Sequence, residues 1–174
     1  MAKTLVLSFI ANDETGIVDR VTEIVSEAGG NWSESRMAHL AEKFAGVARV
    51  TIPDAKAGNL QAALINLEEE GFHLIVEEAS DPAPLHGGLL TLDFIGPDHP
   101  GILHEISHCL AENCVSVETM RTQLEAAPMG GGQLFHATGQ VRMPAGMTEE
   151  KLRQALEALA AALMVDISLV DKTD

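Results

Sequence analysis

FIGPDHPGIL, at residues 94–103, and FIANDETGIV, at residues 9–18, are two versions of one stretch of sequence. In each version an apolar run leads into a polar turn, and a glycine then opens a second apolar segment. Asp13 aligns with Asp98, and Gly16 aligns with Gly101. A stretch that recurs in this way indicates that the chain contains two copies of one structural unit.

The repeat extends along most of the chain. At an offset of 85 residues, which places Leu90 on Leu5, no gap is needed as far as residue 36 of the first copy. The second copy then carries extra residues at 126–132, after which the match resumes and Phe135 aligns with Phe44. Of the 174 residues, the repeat assigns 1–79 to a first domain and 88–174 to a second. The two prolines and the terminal glycine of 80–87 are typical of an exposed linker.

Each copy predicts the same order of elements, which is strand, helix, strand, strand, helix and strand. Apolar residues recur at helical spacing after the first strand, and Gly29 and Gly30 end that helix. This order predicts an α+β fold of two ferredoxin-like βαββαβ domains, each with a four-stranded antiparallel sheet and both helices on one face. In the first copy we expect strands at 3–11, 31–40, 43–52 and 72–79, helices near 17–28 and 56–70, and a tight turn near Ala41 and Glu42.

The composition restricts the classes of function. The hydrophobic fraction of 46% supports a folded core, and the formal net charge is −15. Because nucleic-acid binding and adsorption to anionic membranes both rely on basic patches, this charge argues against direct contact with DNA, RNA or a membrane surface. No motif calls for a cofactor. The start of the chain reads as a strand, with no signal peptide or spanning segment, and this predicts a cytoplasmic protein.

The two cysteines, Cys109 and Cys114, match no metal-binding spacing. We therefore interpret both as small apolar core residues in a reducing compartment.

The repeated turn has the chemistry of a site for a zwitterion. A glycine at the start of a helix lets a ligand approach the backbone closely, and free N–H groups at a helix N-terminus attract a carboxylate. The acidic side chain of Asp13 or Asp98, one turn earlier, can receive an ammonium group. The competing interpretation is that these two aspartates are helix caps, together with their polar neighbours.

With these residues in view, the chain resembles the ACT domain family, twice over nearly its full length. In ACT domains that bind amino acids, the ligand is contacted by this turn and by an asparagine at the start of the second strand. The resemblance implies the same contacts here. Thr15 departs from the usual proline, and a serine replaces the strand asparagine in the second copy. The positions implied are Asn12, Asp13, Gly16 and Asn31 in the first copy and Gly96, Asp98, Gly101 and Ser116 in the second.

Within that family, residues 29–37 and 40–44 resemble the glycine cleavage system transcriptional repressor group. This resemblance implies a regulatory protein rather than an enzyme, one that senses an amino acid, with glycine the leading ligand. It also implies a DNA-binding activator as protein partner, a ligand bound where two ACT units meet, and a homo-oligomer formed through exposed sheet edges. The alternative from another class is a ligand-free protein-interaction module, which the departures at Thr15 and Ser116 leave open.

One string of residues favours an enzyme. His104, Glu105 and His108 form a literal HExxH pattern, the signature of a zinc metalloprotease. The repeat places them at solvent-facing positions, away from a predicted core face of Ile102, Leu103, Ile106 and Leu110, and no third histidine follows. We keep the metalloprotease as a remote alternative.

Overall fold

The two halves of the chain contain the same elements in the same order. The computed structural model describes residues 1–79, 87–128 and 131–171, so most of the predicted linker lies outside the described residues. The elements of the first half are β1 (Ala2–Asn12), α1 (Ile17–Glu27), β2 (Asn31–Leu40), β3 (Lys43–Pro53), α2 (Asp54–Ile65), a 3₁₀ helix (Asn66–Glu70) and β4 (His73–Glu78). Those of the second half are β5 (Leu89–Pro97), α3 (Ile102–Glu112), β6 (Ser116–Ala126), β7 (Gln133–Arg142), α4 (Glu149–Leu163) and β8 (Asp166–Asp171).

Each half forms one four-stranded antiparallel sheet. The strand orders are β2-β3-β1-β4 and β6-β7-β5-β8, and the chain divides into two compact units, Met1–Ala83 and Pro84–Asp174. The predicted α+β fold of two ferredoxin-like domains is confirmed.

The alternation of residues along the central strand explains why each sheet has one covered face. In β1, Leu5, Leu7 and Phe9 are buried, while Val6 and Ser8 between them are only partly so. Successive side chains of a strand point to opposite faces, so the buried set packs toward the helices and the other set faces away. The buried cores of the two units are built from equivalent residues of their sheets and helices.

The tight turn between β2 and β3 is where the sequence predicts it. Ala41 and Glu42 have φ angles of 48° and 62°, both in the left-handed region. Two consecutive residues with positive φ form the type of two-residue turn whose twist matches a β-hairpin. The turn fixes the β2–β3 register, in which Leu40 pairs with Lys43, and Lys43 also pairs with Asn12 at the end of β1.

The structure corrects several details. The second helix of the first unit begins at Asp54 and gives way after Ile65 to the 3₁₀ helix. Leu103, expected on the core face of α3, is 41% exposed. Cys114 is also exposed, so the prediction that both cysteines belong to the core is wrong for Cys114, whereas Cys109 is partly buried and packs against the second core. Burial raises the pKa of the Cys109 thiol.

Candidate functional site

The turn that joins β1 to α1 is held against the β2–β3 hairpin. The backbone N–H of Asp13 donates to the carbonyl of Glu42 at 3.0 Å, and Lys43 Nζ donates to Asn12 Oδ1 at 2.5 Å. Asp13 Oδ2 lies 3.4 Å from His39 Nε2. The turn is therefore anchored through its own polar groups, and charged side chains from the hairpin surround it.

The helix that follows this turn begins without a side-chain cap. Gly16 is the N-cap residue, with a φ of 98°, and among the described residues no side chain caps the free N–H groups at the start of α1. The interpretation of Asp13 as a helix cap is therefore wrong, and the same holds for Asp98, because Gly101 takes the N-cap position of α3 with a φ of 94°. A Cβ atom at Gly16 would meet no atom within 4 Å, so the backbone conformation, not lack of space, favours glycine there. The first N–H groups of α1 remain available to a ligand.

The hairpin side of this site was not predicted from the sequence. A depression of about 310 Å³ is lined by Asn12 and Asp13 together with His39 and Glu42. The signal was present in the predicted order of strands, because the end of β1 must lie beside the start of β3 in an antiparallel pair. The order of strands does not itself say which strands pair. Only the pairing of β1 with β3 brings Asn12 and Asp13 close to His39 and Glu42.

Asn31 lies at the opposite end of the same sheet. It is the first residue of β2 and pairs with Thr51, which pairs in turn with Thr4 near the start of β1. Asn12 is eight residues further along β1. At a rise of ~3.3 Å per residue, Asn31 is roughly 26 Å from the turn along the strand direction. Within one unit the structure thus brings together Asn12, Asp13 and Gly16, and it does not bring Asn31 to them.

The corresponding positions of the second unit are arranged in the same way but are less polar. Asp98 donates its backbone N–H to the carbonyl of Gln133 at 3.0 Å, which reproduces the anchor of the first turn. Ser116 opens β6 and pairs with Arg142, far from that turn. In the register of the two sheets, apolar residues stand where the first unit has its polar ones: Pro97 for Asn12, Leu124 for His39 and Leu134 for Lys43.

Gly96 has a packing role. A Cβ atom there would lie 2.1 Å from Cγ1 of Val165 and 3.2 Å from its Cα atom. The equivalent residue of the first unit is Ala11, which is buried. A glycine at position 96 therefore allows β5 to pack closely against Val165, in the segment before β8. This packing role is separate from any contact of Gly96 with a ligand.

His104 and His108 lie on the exposed side of α3, whereas Glu105, which was expected at a solvent-facing position, is partly buried. The rings of His104 and His108 stack with centroids 5.8 Å apart, and His108 Nε2 lies 3.4 Å from Glu112 Oε1. One carboxylate oxygen of Glu105 is buried with no hydrogen-bond partner among the described residues, so it is not open to a metal-bound water. Within those residues no group of three or more His, Cys, Asp or Glu side chains is placed to hold a metal ion.

A second polar cluster lies on the sheet of the second unit, on the side away from its helices. His136 Nε2 is 3.0 Å from Asp93 Oδ2, and its Nδ1 is 3.0 Å from Glu125 Oε1. Hydrogen bonds to Asp93 first and Glu125 second raise the pKa of His136 above its usual value. Hydrogen bonds from His136 and then Gln123 lower the pKa of Glu125. In its protonated form the imidazole can donate to both carboxylates and so link three neighbouring strands.

Among the helices that the structure describes, none is long and apolar enough to cross a membrane.

The sequence of the first unit matches a known family, and the whole chain is similar to solved structures. Residues 3–76 match the family model of the ACT domain. The crystal structure of an unknown protein from Galdieria sulphuraria covers 99% of this chain and 100% of its own, with 28% identity and a TM-score of 0.87. That of a candidate glycine cleavage system transcriptional repressor covers 100% of this chain and 99% of its own, with 19% identity and a TM-score of 0.74. No curated protein matches the sequence.

Proposed function

We propose that this chain, which carries the two-domain ACT fold, is a regulatory protein that senses a small amino acid at the β1–α1 turn of its first unit. The observation that carries the proposal is the uncapped N-terminus of α1 beside the polar depression of Asn12, Asp13, His39 and Glu42. Glycine is the leading ligand, on the resemblance of residues 29–37 and 40–44 to the repressor group.

The chemistry of the turn suits both ends of a zwitterion. The free N–H groups at the start of α1, together with the positive end of its dipole, would receive the carboxylate. The carboxylate of Asp13 and the side-chain oxygen of Asn12 would receive the ammonium group, and Lys43 holds that oxygen in place at 2.5 Å. The left-handed conformation of Gly16 leaves the approach to the backbone open.

Asn31 belongs to this proposal as a residue supplied by a second copy of the chain, since it lies at the far end of its own sheet. In the second unit, Gly96, Asp98, Gly101 and Ser116 form the corresponding set. That set has less of the polar surround, because leucines and a proline replace the hairpin and turn residues. We therefore infer that the first unit binds more tightly than the second.

The regulatory output would pass through another protein. A DNA-binding activator is the partner that the resemblance to the repressor group implies, and with a net charge of −15 the chain would act through such a partner and not by contact with DNA itself. Ligand binding would act by favouring one arrangement of ACT units over another and so changing affinity for that partner. The proposal includes a cytoplasmic location and no catalytic role, and the exposed positions of His104 and His108 support the latter.

A thermal-shift screen of metal-free protein against the twenty amino acids and zinc tests this function. An amino acid at about 100 times its dissociation constant should stabilise the fold by about 2.7 kcal/mol. Asp13→Ala should abolish the shift, while Asp98→Ala, the matched change in the second unit, should retain most of it. If no amino acid shifts the transition, the ligand-free interaction module replaces the sensor. A large zinc shift lost in His104→Ala would instead reopen the His104–His108 site, and only activity lost in Glu105→Gln would then support the metalloprotease alternative.

A further inference from the structure

Two imidazoles lie one turn apart on the exposed side of α3. His104 and His108 stand four residues apart in this helix, so their side chains are neighbours on one face. The two rings stack with an angle of 23° between their planes. His104 is exposed, and the side chain of His108 is 61% exposed. Both rings are therefore open to a ligand that arrives from solvent.

The fold does not require histidines at these positions. At the offset of 85 residues, Asp19 and Glu23 occupy the same places on α1. The buried residues of α3 are Ile102, Ile106 and Leu110, so neither histidine belongs to the second core. The pair is thus a feature of the surface of the second unit, and packing does not explain it.

The spacing of the two rings is close to that of two imidazoles on one metal ion. With metal–nitrogen bonds of about 2.0–2.1 Å, two imidazoles on one tetrahedral ion have their ring centroids roughly 5 Å apart. The centroids of His104 and His108 are 5.8 Å apart. Exposed side chains change rotamer freely, so a small rotation of each ring closes the difference and turns a nitrogen toward a shared ion. The helix backbone can stay as it is.

The surroundings of the pair favour a bound cation. Oε1 of Glu112, one turn further along α3, lies 3.4 Å from Nε2 of His108. A carboxylate beside one ring nitrogen orients an imidazole and makes its other nitrogen a better metal ligand. The net charge of −15 also attracts cations to the protein surface.

We propose that His104 and His108 form a two-ligand site for a divalent transition-metal ion, with water in the remaining coordination positions. Imidazole is a good ligand for nickel, copper and zinc, whereas calcium and magnesium take oxygen ligands. Among these ions copper(II) binds a given set of nitrogen ligands most tightly, so we expect it to bind here with the highest affinity.

This site differs from a metalloprotease centre. No third protein ligand is placed beside the two histidines in the part of the chain that the structure describes. Glu105 is partly buried and so does not face the ion as a general base would. The proposed site therefore holds a metal without hydrolytic activity, and it does not depend on the amino-acid sensor.

Isothermal titration calorimetry of the metal-free full chain with copper(II), nickel(II) and zinc(II) chlorides tests the site. We expect copper(II) to bind most tightly. His104→Ala and His108→Ala should each lower the copper affinity about tenfold or more, because a single imidazole loses the advantage of two linked ligands. His73 is exposed on β4, and His73→Ala is the matched control that should leave the affinity unchanged.

A change of spacing shows whether the two histidines share one ion. His108→Ala combined with Ala111→His keeps two histidines on α3 but separates them by two turns, or roughly 10 Å, which one ion cannot span. Ala111 is exposed, so the helix should tolerate the change, and circular dichroism checks the fold. This variant should bind copper(II) as weakly as His108→Ala.

Three results would overturn the proposal. The first is a wild-type chain that takes up no copper(II). The second is an affinity that His104→Ala and His108→Ala leave unchanged, since the ion would then lie elsewhere on the chain. The third is a respaced variant that binds as tightly as the wild type, because the histidines would then act independently.

Discussion

At equivalent places on the two sheets, the inner positions agree, whereas several outer positions differ. Leu7 and Leu92 are both fully buried, and Phe9 and Phe94 occupy the same place in the two cores. On the outer side, Ser8 corresponds to Asp93 and Ala45 to His136. Core positions must fill a fixed space against the helices, whereas exposed positions carry no such constraint. Divergence on the outside of a shared fold is therefore where the two units are expected to differ in function.

The turns that follow β1 and β5 show the same divergence. Both turns keep the left-handed glycine and the backbone anchor to the neighbouring hairpin. Only the first adds Asn12 with its lysine and Asp13 with its histidine. The second unit thus has the backbone conformation of the turn without the polar side chains that surround it in the first unit. Ligand binding must therefore be tested in each unit separately.

The largest expected effects come from substitutions that leave a cavity in one core at a time. Leu7→Ala and Leu92→Ala each leave a cavity at a fully buried position, and each should cost about 2–5 kcal/mol of the unfolding free energy of its own unit. Urea unfolding followed by Trp32 fluorescence reports on the first unit, because this tryptophan packs against the first core. Circular dichroism reports on both.

We expect Leu7→Ala to lower the urea concentration at which Trp32 fluorescence changes, and Leu92→Ala to leave that concentration unchanged. An equal shift of the fluorescence transition in both variants would show that the units unfold as one.

The next effect concerns Gly96. Gly96→Ala places a Cβ atom against Val165 and should destabilise the second unit by about 1–3 kcal/mol through overpacking. The reverse change at the equivalent position, Ala11→Gly, should cost the first unit less, about 0.5–1 kcal/mol. Both values come from urea unfolding monitored by circular dichroism.

A second-site change separates overpacking from other causes. Val165→Ala removes the atoms that the new Cβ would meet, so the double variant should be less affected than the sum of the single variants. Strict additivity would contradict the packing role assigned to Gly96.

A smaller effect is expected where the first helix of each unit ends. Gly29 has a φ of 76°, and Cys114 takes the same place after α3 with a φ of 55°. Because a left-handed conformation disfavours residues with a Cβ atom, Cys114→Gly should stabilise the second unit by roughly 0.5–1 kcal/mol. Gly29→Ala should destabilise the first by a similar amount. Thermal unfolding measures both, and destabilisation by Cys114→Gly would mean that the cysteine side chain has a role of its own.

The sequence predicted the parts of this protein that depend on local pattern and on the repeat. The alternation around Leu5 and Leu7, the glycines at residues 29 and 30 and the turn at Ala41 were sufficient to predict the fold, which the structure confirms. The contacts of Asn12 and Asp13 with the hairpin could not be predicted in this way, because they depend on strand register between distant segments. The ligand roles of these residues stay predictions.

The smallest expected effect is a pH dependence confined to the second unit. The pKa of His136 is raised by Asp93 and Glu125, so its protonated form is favoured in the folded state. The resulting stability is fully present below the unfolded-state pKa near 6.5 and is lost as the pH rises through the higher folded-state pKa. The effect should be modest because solvent screens these partly exposed groups. The measurement is the midpoint of thermal unfolding from pH 5 to pH 9.

Removal of the imidazole isolates its contribution. His136→Ala introduces the residue of the first unit and should lower the midpoint more at pH 5.5 than at pH 8.5, while His104→Ala, on the exposed side of α3, serves as the control variant. Below about pH 4.5 a second effect of opposite sign enters, because the lowered pKa of Glu125 makes its contribution disappear as the pH falls. If His136→Ala lowers the midpoint equally at both pH values, the imidazole stabilises the sheet by packing alone, and the charged link between Asp93 and Glu125 is not what holds these strands together.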